Sequence, residues 1–379
     1  MLSGGSAEPP APSPSPSRLP TPTPTPVSPV REQPDRLDIG ITEPNPAFLI
    51  GSDNPAFQRW ADVIPKQIRP RYYRLVVDWA GITSPDGSNI DLAKPQSGCM
   101  RDKGPCASWA GIRAQLQALA TVQKQDPGRL IGMVVFTGTP ANLTAPASGC
   151  ERPDTQPRSR PPSDAAIPQY QAVVRAVIDE ARRDGANVPY WSPWNEPNHP
   201  YFLSPQRSAC QNLSTTAAVA PYTLMANAMQ AVLDQEPGDQ KLVLGETAGL
   251  FERKSTTTPA PQFIRRLPRE LVCRAAVYGE HGYLGNTDPA GPVYRALKSF
   301  DCPGGVPPIW ITETGIKSSD AAACADVRER LANWRQDERV AAVFQYTLRE
   351  DDRFPTGLVS TDLSRSYPVL GQWTGRPTC

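Results

Sequence analysis

Histidine is nearly absent from this chain, since its 379 residues include only two, His199 and His281. A site that needs several imidazoles, such as a histidine-rich metal centre, has almost nothing to be built from. Net charge is also nearly absent, with 39 basic and 38 acidic side chains. Because such a chain has no long-range field to gather phosphate backbones or an anionic membrane surface, we expect no nucleic-acid partner.

Several diagnostic motifs are missing as well. No run approaches the ~20 apolar residues of a membrane-spanning helix, so we expect no membrane insertion. The chain has no Cys-x-x-Cys, G-x-G-x-x-G, phosphate-binding loop, G-x-S-x-G or H-E-x-x-H. We therefore expect no metal and no organic cofactor.

Proline, in contrast, is abundant: the chain has 45, and 11 of them lie in residues 1–34. The repeats APSPSPS and PTPTPTP favour extended polyproline II structure and offer few apolar groups to a core. We expect residues 1–34 to be a disordered linker and residues 35–379 to be one catalytic domain. The alternative is that the proline-rich segment is a gene-start artefact without a role.

From residue 36 onward, short apolar runs alternate with longer helical patterns. The runs are dense in Val, Ile, Leu and aromatic residues, as expected of parallel strands that are covered on both faces. They lie at 37–43, 72–79, 129–136, 189–196, 241–246, 275–283, 308–313 and 340–348. Amphipathic periodicity predicts helices at 106–125, 165–185, 220–235 and 320–336.

This alternation predicts an α/β fold, a (β/α)8 TIM barrel with enlarged loops at the C-terminal face of the strands. A doubly wound sheet is the competing arrangement. That fold usually has a glycine-rich turn after the first strand, and ITEPNP at 41–46 is not one.

The eight cysteines are scattered, which fits four disulfides formed in an oxidising compartment. Buried free thiols in a cytosolic protein are the alternative. Positions relative to the predicted strands suggest Cys99–Cys106, Cys150–Cys210, Cys273–Cys302 and Cys324–Cys379, one of 105 connectivities. No signal peptide is visible at the N-terminus, so the expectation of a secreted or cell-surface location depends on the cysteines and the linker.

Two glutamates follow predicted strands at the same barrel mouth, Glu196 after the fourth strand and Glu313 at the end of the seventh. Glycosidic bond cleavage needs such a pair, one carboxyl protonated and the other charged. Asn195 is placed to hold a sugar hydroxyl, and Tyr283 to hydrogen-bond Glu313. Taken singly, each glutamate is better explained as a helix cap or an ion-pair partner, whereas the pair at strands 4 and 7 favours catalysis.

These segments carry a resemblance. WSPWNEPNHPYFLSP (191–205) looks like the strand-4 signature of clan A glycoside hydrolases, and PIWITETG (308–315) resembles their strand-7 segment. His281-Gly282-Tyr283 matches the His-x-Tyr of strand 6, Arg74 resembles the arginine of strand 2, and FPTGLVSTDLSRSYPVL (354–370) is similar to the closing segment. Glycoside hydrolase families 5 and 39 look closest.

The resemblance implies a retaining mechanism with Glu196 as acid/base and Glu313 as nucleophile. It implies substrate contacts from Asn195, Arg74, His281 and Tyr283, and we add three mouth residues, Trp194, His199 and Tyr346. Tyr346 stands where the clan usually has tryptophan, and FTGTPAN (136–142) lacks the histidine often found after strand 3. Trp310, three positions before Glu313, is expected to face the outer helices.

The sequence therefore favours a secreted retaining glycosidase that acts as a monomer on β-linked oligo- or polysaccharides. A non-catalytic carbohydrate-binding or wall-associated protein on the same barrel is the alternative. A third possibility is an extracellular scaffold whose active part is the proline-rich segment. Long predicted loops at 81–105, 137–164 and 197–214 favour exo action or short oligosaccharides.

Overall fold

The fold was obtained as a computed structural model. It describes residues 37–97, 108–151, 156–208, 210, 216–252, 256–283, 288, 290–351, 354–376 and 379. The expected linker, residues 1–34, lies outside the described residues, as do Cys99 and Cys106.

Eight parallel strands form a closed barrel, and each strand pairs with its neighbours in sequence. Their bounds are β1 Asp38–Thr42, β2 Tyr72–Asp78, β3 Ile131–Thr137, β4 Tyr190–Ser192, β5 Lys241–Thr247, β6 Val277–His281, β7 Ile309–Thr314 and β8 Val340–Tyr346. β8 pairs with β1 and closes the ring. All eight apolar runs thus form strands, and the predicted TIM barrel is confirmed.

Helices surround the barrel. They are α1 Ala47–Ile50, α2 Pro55–Gln58, α3 Trp79–Ile82, α4 Ile112–Gln125, α5 Ile167–Asp184, α6 Val219–Leu233, α7 Ala260–Ile264, α8 Arg269–Arg274, α9 Ala290–Lys298, α10 Ala323–Gln336 and α11 Leu370–Trp373. A π-helical turn at Val63–Ile68 precedes β2, and short strands at Gln96–Ser97 and Ser108–Trp109 form an antiparallel ribbon.

The four predicted helices correspond to α4, α5, α6 and α10. The remaining helices have nine residues or fewer, and several begin at or just after a proline, so their sequences carry too little periodicity to be recognised. No helix in the described part of the chain combines the length and the apolar character that a membrane span requires.

An aromatic plug fills the barrel interior at the N-terminal ends of the strands. It consists of Tyr72, Tyr190, Trp310 and Phe344, which come from four different strands. The Trp310 ring centroid lies 4.3 Å from Tyr72, 4.7 Å from Tyr190 and 5.7 Å from Phe344. The plug closes the lower barrel and gives the polar upper layer a water-excluding floor.

The expectation that Trp310 faces the outer helices is wrong. Strand β7 carries an irregularity in its pairing: Ile311 pairs with Val343, whereas Thr314 pairs with Gln345. Three steps along β7 therefore match two steps along β8, which is the signature of a β-bulge. The extra residue shifts the alternation of side chains, so that Trp310 and Glu313 both point into the barrel.

Three of the four expected disulfides are confirmed, and the fourth falls on residues outside the described ranges. Cys150 and Cys210 join the loops after β3 and β4, with Cα atoms 4.7 Å apart. Cys273–Cys302 links α8 to the segment before β7, and Cys324–Cys379 ties α10 to the C-terminal residue. Cys273–Cys302 and Cys324–Cys379 lie near the outer helices, whereas Cys150–Cys210 lies at the mouth of the barrel.

Candidate active site

Strand ends converge at the C-terminal mouth of the barrel, and the turn after β4 is held there from both sides. The backbone N–H of Asn195 donates to the carbonyl of Phe136 on β3 at 2.8 Å, and the N–H of Glu196 donates to that of Glu246 on β5 at 2.9 Å. Glu196 adopts a left-handed conformation with φ 41°. Such a conformation is uncommon outside glycine and is often found at functional sites.

Glu313 is fixed by one hydrogen bond and one ion pair. The hydroxyl of Tyr283 donates to Glu313 Oε2 at 2.8 Å, the contact expected from the sequence, and Arg74 Nη1 lies 2.8 Å from Oε1. The Glu313 side chain is 3 % exposed. Burial and the Glu313 carboxylate both raise the pKa of Tyr283, so this hydroxyl remains a donor. These contacts orient Glu313 as a carboxylate that faces the cleft.

Glu196 and Glu313 lie close together around one imidazole. His281 Nδ1 is 2.9 Å from Glu196 Oε1 and 3.5 Å from Glu313 Oε2. One oxygen of each carboxylate and one nitrogen of His281 all lie within 4.8 Å of one another. The two carboxylates therefore face each other across a short gap beside His281.

The spacing of these three side chains is one that a metal ion could bridge, but the state of His281 opposes that assignment. Burial on its own would lower the pKa of His281, but Glu313 and the other carboxylates that face the ring raise it to about 10. A protonated imidazole has no lone pair for a metal, because metal binding requires the neutral ring. In its protonated state His281 is a hydrogen-bond donor to Glu196.

Asn195 holds a buried side-chain donor beside Arg74. Its side-chain oxygen accepts a hydrogen bond from Arg74 Nη2 at 2.7 Å, which fixes the orientation of the amide. Among the described residues its Nδ2 group has no hydrogen-bond partner, although Asn195 is fully buried. An unpaired buried donor at this point is suited to a substrate hydroxyl.

Sequence reasoning missed Glu246 on β5. Its Oε2 accepts hydrogen bonds from Arg74 Nε at 2.9 Å and Nη2 at 2.6 Å, and lies 3.6 Å from His281 Nε2. Although burial opposes ionisation, Arg74 and His281 lower the pKa of Glu246 to about 2. Its place at the end of the run KLVLGE was the one available signal, since charged residues at barrel strand ends often belong to the site.

Two further buried glutamates have the opposite electrostatic character. Burial raises the pKa of Glu280 on β6 to about 8, and its Oε2 contacts the hydroxyl of Thr247. Burial also raises the pKa of Glu43, just after β1, to about 7. Glu43 accepts the backbone N–H groups of Leu348 and Arg349 after β8, at 3.0 and 3.1 Å. Neither forms an ion pair with a guanidinium among the described residues, and burial is the largest influence on the pKa of both.

The three additional mouth residues are placed differently. Trp194 is fully buried, with its indole N–H donating to the carbonyl of Phe202 at 2.7 Å, so no ring face is left for a sugar and its expected substrate contact is not supported. Tyr346 is 1 % exposed, and its ring packs on Tyr283 and Phe354. His199 is partly exposed, with Nδ1 4.0 Å from Glu196 Oε2. Of the three, His199 is the best placed to reach a substrate.

Comparisons by sequence and by structure give different results. No family model matches the chain, and no curated protein matches it. Among solved structures, a GH30 endoxylanase from Clostridium papyrosolvens C71 superposes with a TM-score of 0.56 at 12 % identity, covering 91 % of this chain and 72 % of that one. GH5_18 from Streptomyces cattleya, solved in complex with GlcNAc, gives 0.53 at 14 % identity, with coverages of 90 % and 79 %. The endo-beta1,6-glucanase BT3312 gives 0.55 at 14 % identity, with coverages of 91 % and 77 %.

This chain therefore has the fold of clan A glycoside hydrolases, as the resemblance implied, and families 30 and 5 are both represented among its structural neighbours. At identities of this size the likeness establishes the architecture, and chemistry has to be argued from the site.

Proposed function

We propose that the protein is a retaining glycoside hydrolase that cleaves β-glycosidic bonds of oligo- or polysaccharides, with Glu313 as nucleophile and Glu196 as acid/base. The observation that carries this proposal is the pair of carboxylate oxygens within 4.8 Å, one on each glutamate. Retaining enzymes hold their carboxyl groups ~5–5.5 Å apart, whereas inverting enzymes leave ~6.5–9.5 Å for a water molecule.

The first step forms a covalent glycosyl-enzyme. A Glu313 oxygen attacks the anomeric carbon while the bond from that carbon to the leaving oxygen breaks, and Glu196 gives its proton to that oxygen. Arg74 and Tyr283 hold Glu313 in the direction of attack. The Nδ2 group of Asn195 binds a hydroxyl of the reacting sugar.

The second step releases the product. Glu196, now a carboxylate, takes a proton from water, and the water oxygen displaces Glu313 from the anomeric carbon. The protonated His281 donates to Glu196 Oε1 at 2.9 Å and stabilises this carboxylate between the two steps. Two inversions restore the starting anomeric configuration.

The disulfides support an extracytoplasmic location for the protein. Three disulfides persist only where thiols are not kept reduced, which favours export to the cell surface or the medium. We further propose that the barrel acts as a monomer and that residues 1–34 connect it to an anchor. The bridge Cys150–Cys210 between two mouth loops favours a cleft closed at one end and short oligosaccharide substrates.

Activity on a panel of aryl β-glycosides and plant, fungal and bacterial polysaccharides tests the proposal. We expect turnover of at least one aryl β-glycoside, with the β-anomer of the sugar appearing first in a proton NMR time course. Appearance of the α-anomer first would overturn the retaining mechanism. Glycan binding without any turnover, measured by affinity electrophoresis, would favour the non-catalytic alternative.

A further inference from the structure

Two buried glutamates in the described mouth contact both cations of the site, the proposed nucleophile Glu313 and Glu246, which has no part in the proposed bond cleavage. Glu246 Oε2 accepts two hydrogen bonds from Arg74 and lies 3.6 Å from His281 Nε2. Arg74 in turn contacts Asn195 Oδ1 and Glu313 Oε1, and His281 contacts Glu196 and Glu313. Arg74 and His281 are the two cations that contact the proposed catalytic carboxylates, and Glu246 contacts both of them.

We propose that Glu246 is a positioning residue of the site, which fixes the planes of the Arg74 guanidinium and the His281 imidazolium and supplies the negative charge that both require. The inference deepens the proposed function and depends on it for the roles of Glu196 and Glu313. Glu246 itself lies beneath the cleft and touches no reacting atom.

The local backbone is built to deliver this side chain. Gly245 has φ 95° and Glu246 has φ 55°, and the pairing of β5 with β6 shifts between Gly245 and Thr247. A Cβ atom at residue 245 would meet the Tyr278 ring at 2.5 Å and the carbonyl of Gly279 at 2.7 Å. A bulge of this kind redirects one side chain, and here it turns Glu246 toward the barrel axis.

Charge balance gives the reason for a third carboxylate. Arg74 and His281 bring two positive charges, and Glu246 with the nucleophile Glu313 brings two negative ones. Glu196 is then left to carry the proton of the catalytic cycle. Without Glu246 the layer would hold an excess cation, which would favour loss of the proton from both His281 and Glu196.

The other groups around these residues do not substitute for Glu246. His281 also faces Glu196 from β4 and Glu313 from β7, and Glu280 precedes it on β6. Glu246 is further bordered by Thr312 of β7, Tyr222 of α6 and Tyr278 of β6, which are uncharged near neutral pH. Glu280 makes its hydrogen bond to Thr247, and among the described residues it forms no ion pair with Arg74 or His281, so Glu280→Gln is the variant to compare with Glu246→Gln.

The test uses the imidazole titration, because only two histidines are present. In long-range 1H–15N spectra, His199→Gln assigns the remaining signal to His281. We expect Glu246→Gln to lower the His281 midpoint by about one pH unit or more, the size of effect expected for loss of a neighbouring opposite charge. Glu280→Gln removes a carboxyl group that is in hydrogen-bond contact with Thr247, and it should lower the His281 midpoint by less than Glu246→Gln does. An unchanged midpoint in Glu246→Gln would overturn the proposal.

Kinetics supply the second readout. In Glu246→Gln, kcat should fall by about 10²-fold through misplacement of the reacting groups, with a small change in KM. The alkaline limb of kcat/KM should move to lower pH. Glu246→Asp keeps the charge and should keep the His281 midpoint even if kcat falls, and it is the variant to use if Glu246→Gln does not fold. A loss of kcat with neither the midpoint nor the pH profile moved would reduce Glu246 to a packing residue.

Failure of this inference can be told from failure of the proposed function. The imidazole titration needs no substrate, so it decides the role of Glu246 toward His281 even in a protein without turnover. Absence of wild-type turnover, with the midpoint shift present, would overturn the glycosidase and leave the charge network. Wild-type turnover with no shift of the His281 midpoint would support the glycosidase and overturn the role of Glu246.

Discussion

The two ends of the barrel interior are built from the same strands and differ completely in chemistry. At the N-terminal end the aromatic plug packs ring against ring, whereas at the C-terminal end Arg74, His281 and three glutamates form a charged network. On β2 the change takes two residues, from Tyr72 to Arg74, and on β8 Phe344 is followed two residues later by Tyr346. Side chains two residues apart on a strand point to the same face. Inside the barrel, the residues of the aromatic plug and those of the charged network are therefore neighbours along the same strand.

The aromatic plug strengthens the electrostatics of the site above it. Charged groups interact more strongly where water is excluded, and the plug removes water from beneath the network. In this layer the carboxylates raise the pKa of His281 and burial raises the pKa of Glu280, so that at neutral pH His281 is charged and Glu280 is neutral. Changes in the upper layer should therefore remove activity with little loss of stability, and changes in the plug should do the opposite.

The largest effect is expected for Glu313→Ala. Loss of the nucleophile should lower kcat/KM by about 10⁴-fold or more, because no covalent intermediate can form. The midpoint of thermal unfolding should fall modestly, because Tyr283 loses its acceptor while Arg74 still pairs with Glu246. Kinetics on an aryl β-glycoside and calorimetry check both statements. Full activity in this variant would mean that the site lies elsewhere.

Glu196→Ala should have the next largest effect and depend on the substrate. Substrates with poor leaving groups should lose about 10²–10⁴-fold in kcat, the usual worth of general acid catalysis. With a dinitrophenyl leaving group the first step needs no proton, so a burst should appear before slow turnover. Added azide should restore that turnover and yield a β-glycosyl azide, detected by NMR. An α-glycosyl azide would contradict the double displacement.

Trp310→Ala in the plug should lower the free energy of unfolding by about 3–5 kcal/mol, the range for a large aromatic removed from a core. Trp310 is 3 % exposed and packs against three rings, so little relaxation can fill the cavity. At low temperature, where the variant stays folded, kcat should remain close to the wild-type value. Ile50→Ala is the control, because Ile50 is 50 % exposed and its removal should cost less than about 0.5 kcal/mol.

Stability should peak in mildly acidic solution. Three groups have a raised pKa in the folded protein, Glu43 at about 7, Glu280 at about 8 and His281 at about 10. A raised pKa contributes stability that is complete below the unfolded value and is lost as pH rises through the folded value. The lowered pKa of Glu246, about 2, acts in the other direction and is lost as pH falls below about 4.5.

Calorimetry from pH 3 to 10 measures this dependence. We expect the unfolding temperature to fall steadily from about pH 5 upward, and Glu280→Gln to flatten that fall between pH 5 and 8, because the amide cannot ionise. A flat profile over the same range in the wild-type protein would contradict the assigned protonation states.

The smallest effect is expected for deletion of residues 1–34. A segment rich in proline, serine and threonine buries little apolar surface, so unfolding temperature and kcat should both be unchanged. A fall of several degrees in the truncated protein would show that the segment packs against the barrel.

Local sequence determined the architecture of this protein. Eight apolar runs form the eight strands, four amphipathic patterns form the long helices, and three cysteine pairs stand as expected. Periodicity is a property of neighbouring residues, so it can be read along the chain. Glu196 and Glu313 were also visible, because strand ends in a barrel converge on one face.

Only the tertiary structure decided how the side chains inside the barrel meet. The bulge in β7 turned Trp310 inward, and the packing behind β4 buried Trp194 away from the cleft. Glu246 and Glu280 read alike in the sequence, yet one is ionised beside Arg74 and the other is neutral beside Thr247. A carboxyl group's charge depends on what faces it across the barrel, and those partners are brought together from strands far apart in the chain.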